Sequence, residues 1–567
     1  MSVVVPPDVG SLGETPAPGT EPRRSWTRWA GLFALESRSL TLLYWAGVAM
    51  VAAGFFVTRL LPCVDYPQHL ALSDIARRLH DPNAPEHASY VLDYFTYNGL
   101  FHFVVATLSA VLPIELAGRS VVALSLVATA AGVLALLRAL DRPLWHGTLF
   151  TPILFSFSLG WGFANYVLAT AIAVWALVFV ARAARRPSAW DLTMVGVLGF
   201  VCAFAHVLAM LVLCLGAAVV ALEVAWRSSP GRPIRRAGTA VLRAAIVLFP
   251  LLAGCAYCVA VYQRQYAWNP VVYKDPTLEG TAPPLWQKVY FFAEFATDLY
   301  GDATDQVVLW ASVALIAAVA LHVAVGRAAR RANPLVKRPP PMVGLFVAMT
   351  LAYFATPMVL VGTHLIFPRL AQWLVLGAVV AMPDPPARWA ARARTAAAGL
   401  GLVAGVNALF HCAYFAWETN DASAMIDELP PGMSATAVIY DPWTASFING
   451  TLTHLAAYYG ARKHGAWAFS FARYLSVPVR FLPGATPPWP ARGWEFSAED
   501  YDPRCRYARA FPLVLVKAPD AVPPGAGSEA RVRALVFKQD AAAVRLLSHH
   551  GAYWAFDTTG LPEDGAL

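Results

Sequence analysis

Charge is what this chain has least of. Of its 567 residues, 14% are Asp, Glu, Lys or Arg, against 58% hydrophobic. Soluble domains carry about 25% charged residues, so a soluble globular protein is excluded and an integral membrane protein is implied. There is no glycine-rich phosphate loop and no dinucleotide fingerprint, which argues against a nucleotide ligand. No basic run is interleaved with aromatics on a polar segment, so the net charge of +8 is no nucleic-acid footprint and no such partner is expected. Inverted pseudo-symmetry, common in transporters, is missing. Cysteine is sparse and scattered. Cys202, Cys214, Cys255, Cys258 and Cys412 lie in apolar segments as small hydrophobes. Cys63 and Cys505 fall in predicted exterior regions, where a disulfide between them is an option that sequence alone does not establish.

What is present is a series of apolar segments long enough to cross a bilayer, a task that takes roughly 20 residues. They lie near 41–60, 115–138, 147–161, 165–183, 191–206, 207–226, 238–262, 307–326, 341–361, 367–383 and 395–416. That makes about eleven expected transmembrane helices, of which 147–161 and 191–206 are short and rest on charge alternation. Arg138/Arg142, Arg182/Arg185/Arg186, Arg232/Arg235/Arg236, Arg327 to Arg338 and Arg388 to Arg394 fall at alternate connections, so the positive-inside rule puts them in the cytoplasm. Residues 97–113 keep that alternation only as an interfacial helix, and they are read so. Residues 1–38 are Pro-, Gly- and Ser-rich and end in arginines, which reads as a disordered basic cytoplasmic tail. The first apolar run starts too late and is too long for a cleavable signal peptide.

The fold class expected is mainly α: a polytopic membrane helix bundle over 39–416, with exterior loops 61–114 and 263–306. Residues 417–567 change character, with Pro-Gly turns and β-rich runs at ATAVIYD, PLVLVK, AVRLLSHHG and AYWAFDT, and a helical stretch near 451–463. This implies a small C-terminal α/β domain on the exterior, or periplasmic, face. Ala- and Arg-heavy composition suggests a GC-rich bacterial genome, hence an inner membrane.

The polar residues with chemical capability collect on that exterior side. The first loop opens with Asp65-Tyr66-Pro67-Gln68-His69 directly after the first span. Pro67 suits a first helical turn that Asp65 would cap, and Asp65 and His69 would then face one another. The plain alternative makes Asp65 a cap and His69 a solvated surface residue. An acid just past the first span, followed by a helix lying on the membrane, resembles the GT-C glycosyltransferase superfamily, which includes protein O-mannosyltransferases and aminoarabinose transferases. The resemblance is architectural over 41–416 and local at Asp65. It implies inverting sugar transfer from a polyprenyl-phosphate donor to a glycan, lipid or protein acceptor, with Asp65 as catalytic base or as an aid to a divalent metal. Many members have two adjacent acids where this chain has Asp65 and Tyr66, so metal-assisted and metal-independent routes both stay open, and no metal-ligand set is assigned.

Such a transfer needs a carboxylate to take the acceptor's proton and donors to stabilise the departing phosphate. Arg264, Lys274 and Arg369 are the candidates for the second task, since arginine's fork matches phosphate oxygens. Arg369 is either a snorkelling residue or functional; standing alone on the exterior side beside His364, it is read as functional. His206, at an exterior turn between two spans, is either a buried helix-bonded histidine or part of the pocket. Asn165 could face the site while Trp161 and Tyr166 form an interfacial belt. Asp93, His102 and Asp275 are weaker, each explained by surface solvation. Asn449-Gly450-Thr451 matches a glycosylation sequon, a pattern common by chance. Two other readings compete: a transporter, which the near absence of charge at span centres disfavours, and a non-catalytic envelope scaffold presenting the C-terminal domain.

Overall fold

The computed structural model describes residues 34–268, 280–330, 342–360, 363–474, 476–487, 493–522, 525 and 527–561. Among the described residues, seven helices are long and apolar enough to cross a membrane: Arg38–Val57, Ile114–Ala139, Ala164–Arg185, Val207–Ser228, Pro233–Gln265, Thr304–Val325 and Ala387–Glu418. Three expected spans are shorter apolar helices, Ala189–Ala205, Gly344–Ala355 and Pro368–Ala381. The segment expected near 147–161 corrects the sequence reading more sharply. It is a buried 3-10 stretch, Leu144–Ile153, followed by one short α-turn at Phe157–Gly160. Pro152 removes a helical donor within it, and such backbone is tolerated because protein surrounds it on all sides. Residues 97–113 contain a nine-residue helix, Leu100–Leu108, about 13 Å long and far too short to span.

Small residues let the first and last long helices meet. A Cβ on Gly405 would lie 2.5 Å from the Gly47 carbonyl oxygen, and one on Gly47 would lie 2.8 Å from that of Gly401. In a bilayer, where lipid is as apolar as leucine, this close backbone approach is what drives helix pairing. All seven cysteines are free, so the Cys63–Cys505 disulfide is not formed; Cys63 is packed into the core.

Beyond Glu418 the four β-rich runs form one sheet of order β2-β4-β6-β5. Its strands are β2 Ala435–Ile439, β4 Leu513–Lys517, β5 Arg545–His550 and β6 Tyr553–Asp557. β2 and β4 are parallel and the other pairs antiparallel. The expected helix at 451–463 is a turn followed by Leu455–Lys463. Two short strands were not anticipated. β1, Tyr90–Leu92 in the first loop, pairs antiparallel with β3, Val479–Phe481 in the C-terminal part, Tyr90 opposite Phe481. Main-chain bonds from Asp93 N–H to the Pro478 oxygen and from Leu482 N–H to the Ser89 oxygen extend this ladder. Residues of both regions share one hydrophobic core with the helix bundle.

Candidate active site

Pro67 sets the first turn of helix Tyr66–Arg78, and Asp65 occupies its N-cap position. The capping role expected for the Asp65 side chain is not taken up: it makes no bond to the helix N-terminus. The main chain holds the residue instead. Val64 and Asp65 N–H groups donate to the Gly160 and Trp161 oxygens, both at 3.0 Å. The turn that offers those oxygens runs through Gly162 at φ +78°, where a Cβ would lie 2.5 Å from the Tyr66 nitrogen and 2.6 Å from that of Asp65. Only glycine fits there. Asn449 Nδ2 braces the same turn from the C-terminal region by donating to the Gly160 oxygen at 2.6 Å. The sequon asparagine is thus built into the fold, and Thr451 beside it is buried.

The freed Asp65 carboxylate, 18% exposed, meets His454 Nε2 at 3.3 Å through Oδ1. His454 stands at the start of helix Leu455–Lys463. Its Nδ1 faces Gln68 Nε2 at 3.2 Å and Glu495 Oε1 at 3.5 Å. Burial works against a charged His454, but the hydrogen bond to Asp65 and the Glu495 carboxylate outweigh it and hold its pKa above the ordinary value. Burial pushes the Glu495 carboxyl up to about 7, with His454 opposing.

His69 is buried rather than solvated. Its Nδ1 lies 3.2 Å from His102 Nε2, and His102 Nδ1 lies 3.3 Å from Ser73 Oγ. Burial lowers the His69 pKa to about 4 against the pull of Asp65, so the ring is neutral. His102, expected as solvated, is also fully buried and neutral for the same reason.

Arg369 closes the other side. His206 breaks the chain between helices Ala189–Ala205 and Val207–Ser228, and its Nδ1 caps the second by accepting from Leu208 N–H at 3.1 Å. Its Nε2 then lies 3.2 Å from Arg369 Nη1, while Arg369 Nη2 donates to the His364 oxygen at 3.0 Å. The guanidinium stacks on Phe163, 3.6 Å from the ring centre, and Tyr166 donates to the Arg369 carbonyl at 2.8 Å. Arg369 is buried, no carboxylate pairs with it among the described residues, and its charge is felt by both Asp65 and His69. A buried cation is costly unless an anion meets it.

The structure therefore gathers Asp65, His69, His206 and Arg369. Asn165 lies in the adjoining wall, where Oδ1 accepts from Phe101 N–H at 3.1 Å and Nδ2 has no partner. His364 contributes its carbonyl while its side chain is exposed. Arg264 is engaged elsewhere: it donates to Asp93 at 3.2 Å and lies over Phe95, and Arg480 binds the other Asp93 oxygen. Asp93, expected at a solvated surface, is buried by these partners. Lys274 and Asp275 lie outside the described residues. Asp441 and the Trp443 carbonyl serve to hold Lys517. Sequence reasoning missed Glu495 and the parts played by Gln68 and His454: Gln68 lies in the Asp65–His69 stretch, but nothing local marks its partner 386 positions on. Among the described residues, no three His, Cys, Asp or Glu side chains converge as a bound ion would require.

No family model matches the chain, and no curated protein matches its sequence. Its fold is similar to the crystal structure of ArnT from Cupriavidus metallidurans bound to undecaprenyl phosphate, with a TM-score of 0.51 and 12% identity over 93% of this chain and 99% of that one. The apo state of that ArnT aligns with a TM-score of 0.47 and 13% identity over 94% and 99%. The likeness is one of fold, and it extends over nearly the whole length: the mainly helical, polytopic architecture expected from apolar length and basic runs is that of this chain, and it is shared with that ArnT.

Proposed function

We propose that the protein is a membrane glycosyltransferase that moves a sugar from a polyprenyl-phosphate carrier to an acceptor hydroxyl at the non-cytoplasmic face. The observation that carries this reading is the placing in one site of a partly open carboxylate, Asp65, and a buried guanidinium, Arg369, which feels its charge but forms no ion pair with a carboxylate among the described residues. The fold it shares with an ArnT crystallised with undecaprenyl phosphate supports a lipid-linked donor, as does the missing nucleotide-binding loop.

The roles follow from position. Arg369, with two nitrogens fixed by His206 and His364, presents the rest of its fork and its charge to the phosphate. The acceptor oxygen attacks the anomeric carbon as the bond from that carbon to the phosphate oxygen breaks. Asp65 takes the acceptor's proton, and polyprenyl phosphate leaves with the electron pair, its charge stabilised by Arg369. A single displacement of this kind inverts the anomeric centre. His69, neutral and adjacent, offers a hydrogen bond to a sugar or acceptor hydroxyl. Asp65, part-open at a site walled by Phe163, Tyr166 and Phe471, fits an enzyme better than a closed scaffold.

The test is transfer by the purified chain in lipid nanodiscs against a panel of undecaprenyl-phosphate sugars. Asp65→Asn is expected to abolish turnover while still binding undecaprenyl phosphate. Full turnover in that variant would remove Asp65 as the base.

A further inference from the structure

We propose that His454 is a positioning residue for Asp65: a one-way hydrogen-bond chain through Gln68 holds the imidazole Nε2–H on Oδ1, leaving Oδ2 as the oxygen that receives the acceptor's proton. This rests on the reading of Asp65 as the base and deepens it, because it makes the C-terminal region part of the active site.

In the neutral ring the direction of each bond in the chain is forced. Trp467 Nε1–H can only donate, and it meets Gln68 Oε1 at 2.7 Å; the Phe471 N–H donates to the same oxygen at 3.2 Å. That end of Gln68 is therefore the carbonyl, and the other end is the amide NH2. One of its hydrogens goes to the Phe469 carbonyl at 3.1 Å, which can only accept, and the other points at His454 Nδ1 at 3.2 Å. An amide nitrogen does not accept, so Nδ1 carries the lone pair and Nε2 the proton. Nε2 stands 3.3 Å from Asp65 Oδ1. Gln68, Trp467 and His454 are all buried. Glu495, 3.5 Å from Nδ1, does not alter the outcome. When ionised it can draw a second proton onto Nδ1, and the Nε2–H then still faces Asp65. Among the described residues Oδ2 has no partner.

A carboxylate with one oxygen occupied from behind is fixed in rotation, so that its free oxygen points one way. Orientation of that order is worth about 10²-fold in rate for a displacement near 1 Å. The tautomer matters as much as the contact. With the proton on Nδ1, the ring would set a lone pair against the carboxylate and turn it away.

The experiment uses the full chain in nanodiscs with undecaprenyl-phosphate sugars as donors and undecaprenyl phosphate as the binding probe. His454→Leu is expected to lower kcat about 100-fold, with donor KM and undecaprenyl phosphate affinity unchanged. His454→Gln, whose amide N–H can replace Nε2–H, is expected to recover much of that loss, which a merely structural role would not allow. Independently of turnover, 15N spectra of histidine-labelled protein should show His454 protonated at Nε2 whether or not Nδ1 carries a second proton, and protonated at Nδ1 as well in Gln68→Glu. Wild-type kcat in His454→Leu beside an inactive Asp65→Asn would overturn the positioning role and leave the base in place. An active Asp65→Asn would instead overturn the base reading, and with it the positioning role. A bare Nε2 in the wild-type spectrum would overturn the proposal by itself.

Discussion

Replacing Gly162 by alanine tests whether the site depends on where Asp65 sits. Gly162 is at φ +78°, a region that costs an alanine about 1–2 kcal/mol. The larger effect is steric. The added methyl would sit 2.5 and 2.6 Å from the Tyr66 and Asp65 nitrogens, whereas van der Waals contact needs roughly 3.5 Å. Those atoms are backbone, so relief requires the main chain around Asp65 and Tyr66 to move away from the turn that carries Gly162 by close to 1 Å. Such a shift is expected to lower kcat about 10²-fold, or about 2.7 kcal/mol in barrier. Undecaprenyl phosphate affinity should hold as long as the turn keeps Phe163 stacked on Arg369. The assay is steady-state transfer in nanodiscs, with size exclusion and a melting curve to establish that the variant folds. A folded Gly162→Ala protein with wild-type kcat would refute the reasoning, since the base would then tolerate a displacement that geometry makes unavoidable.

Arg369→Lys keeps the charge but cannot hold His206 and the His364 carbonyl while stacking flat on Phe163. Affinity for undecaprenyl phosphate is expected to fall about 10- to 100-fold, roughly 1.4–2.8 kcal/mol, as read by titration. Glu495→Gln should change the pH dependence of stability. Burial lifts this carboxyl from 4.5 to about 7, so the folded chain holds a proton that the unfolded chain releases. Stability therefore falls as pH rises across that window, by on the order of 3 kcal/mol. The glutamine variant should show a flatter profile in melting curves taken from about pH 4.5 to about pH 7.5, the span that brackets the two values. Gly405→Val drives a side chain into the Gly47 carbonyl and is expected to cost about 1–3 kcal/mol, seen as a lower melting temperature with the site chemistry otherwise intact.

Much of the helical architecture was legible because basic runs and apolar length report directly on a bilayer. The strands of the C-terminal sheet were legible because β-branched and aromatic residues cluster between turn residues. Asp65, His69, His206 and Arg369 were visible as isolated polar groups at the ends of apolar segments, where each has few local partners to explain it. Other features depend on contacts that no window contains. Hydropathy does not separate an α-helix from the buried 3-10 stretch Leu144–Ile153, although Pro143 and Pro152 were signals of it. Arg264 had the same local look as Arg369, yet Asp93, 171 positions away in the chain, absorbs its charge. His454 lies 386 positions from Gln68, and only the folded chain brings the two side chains within hydrogen-bond distance.

The β1–β3 ladder has a consequence for how ligands come and go. Because Tyr90–Leu92 and Val479–Phe481 are joined by main-chain bonds, lifting the C-terminal part off the first loop would break a ladder and bare two strand edges to water. A roof riveted in this way does not open upward. On the function proposed above, a lipid-linked donor would then enter from the side, beneath a seam that stays closed.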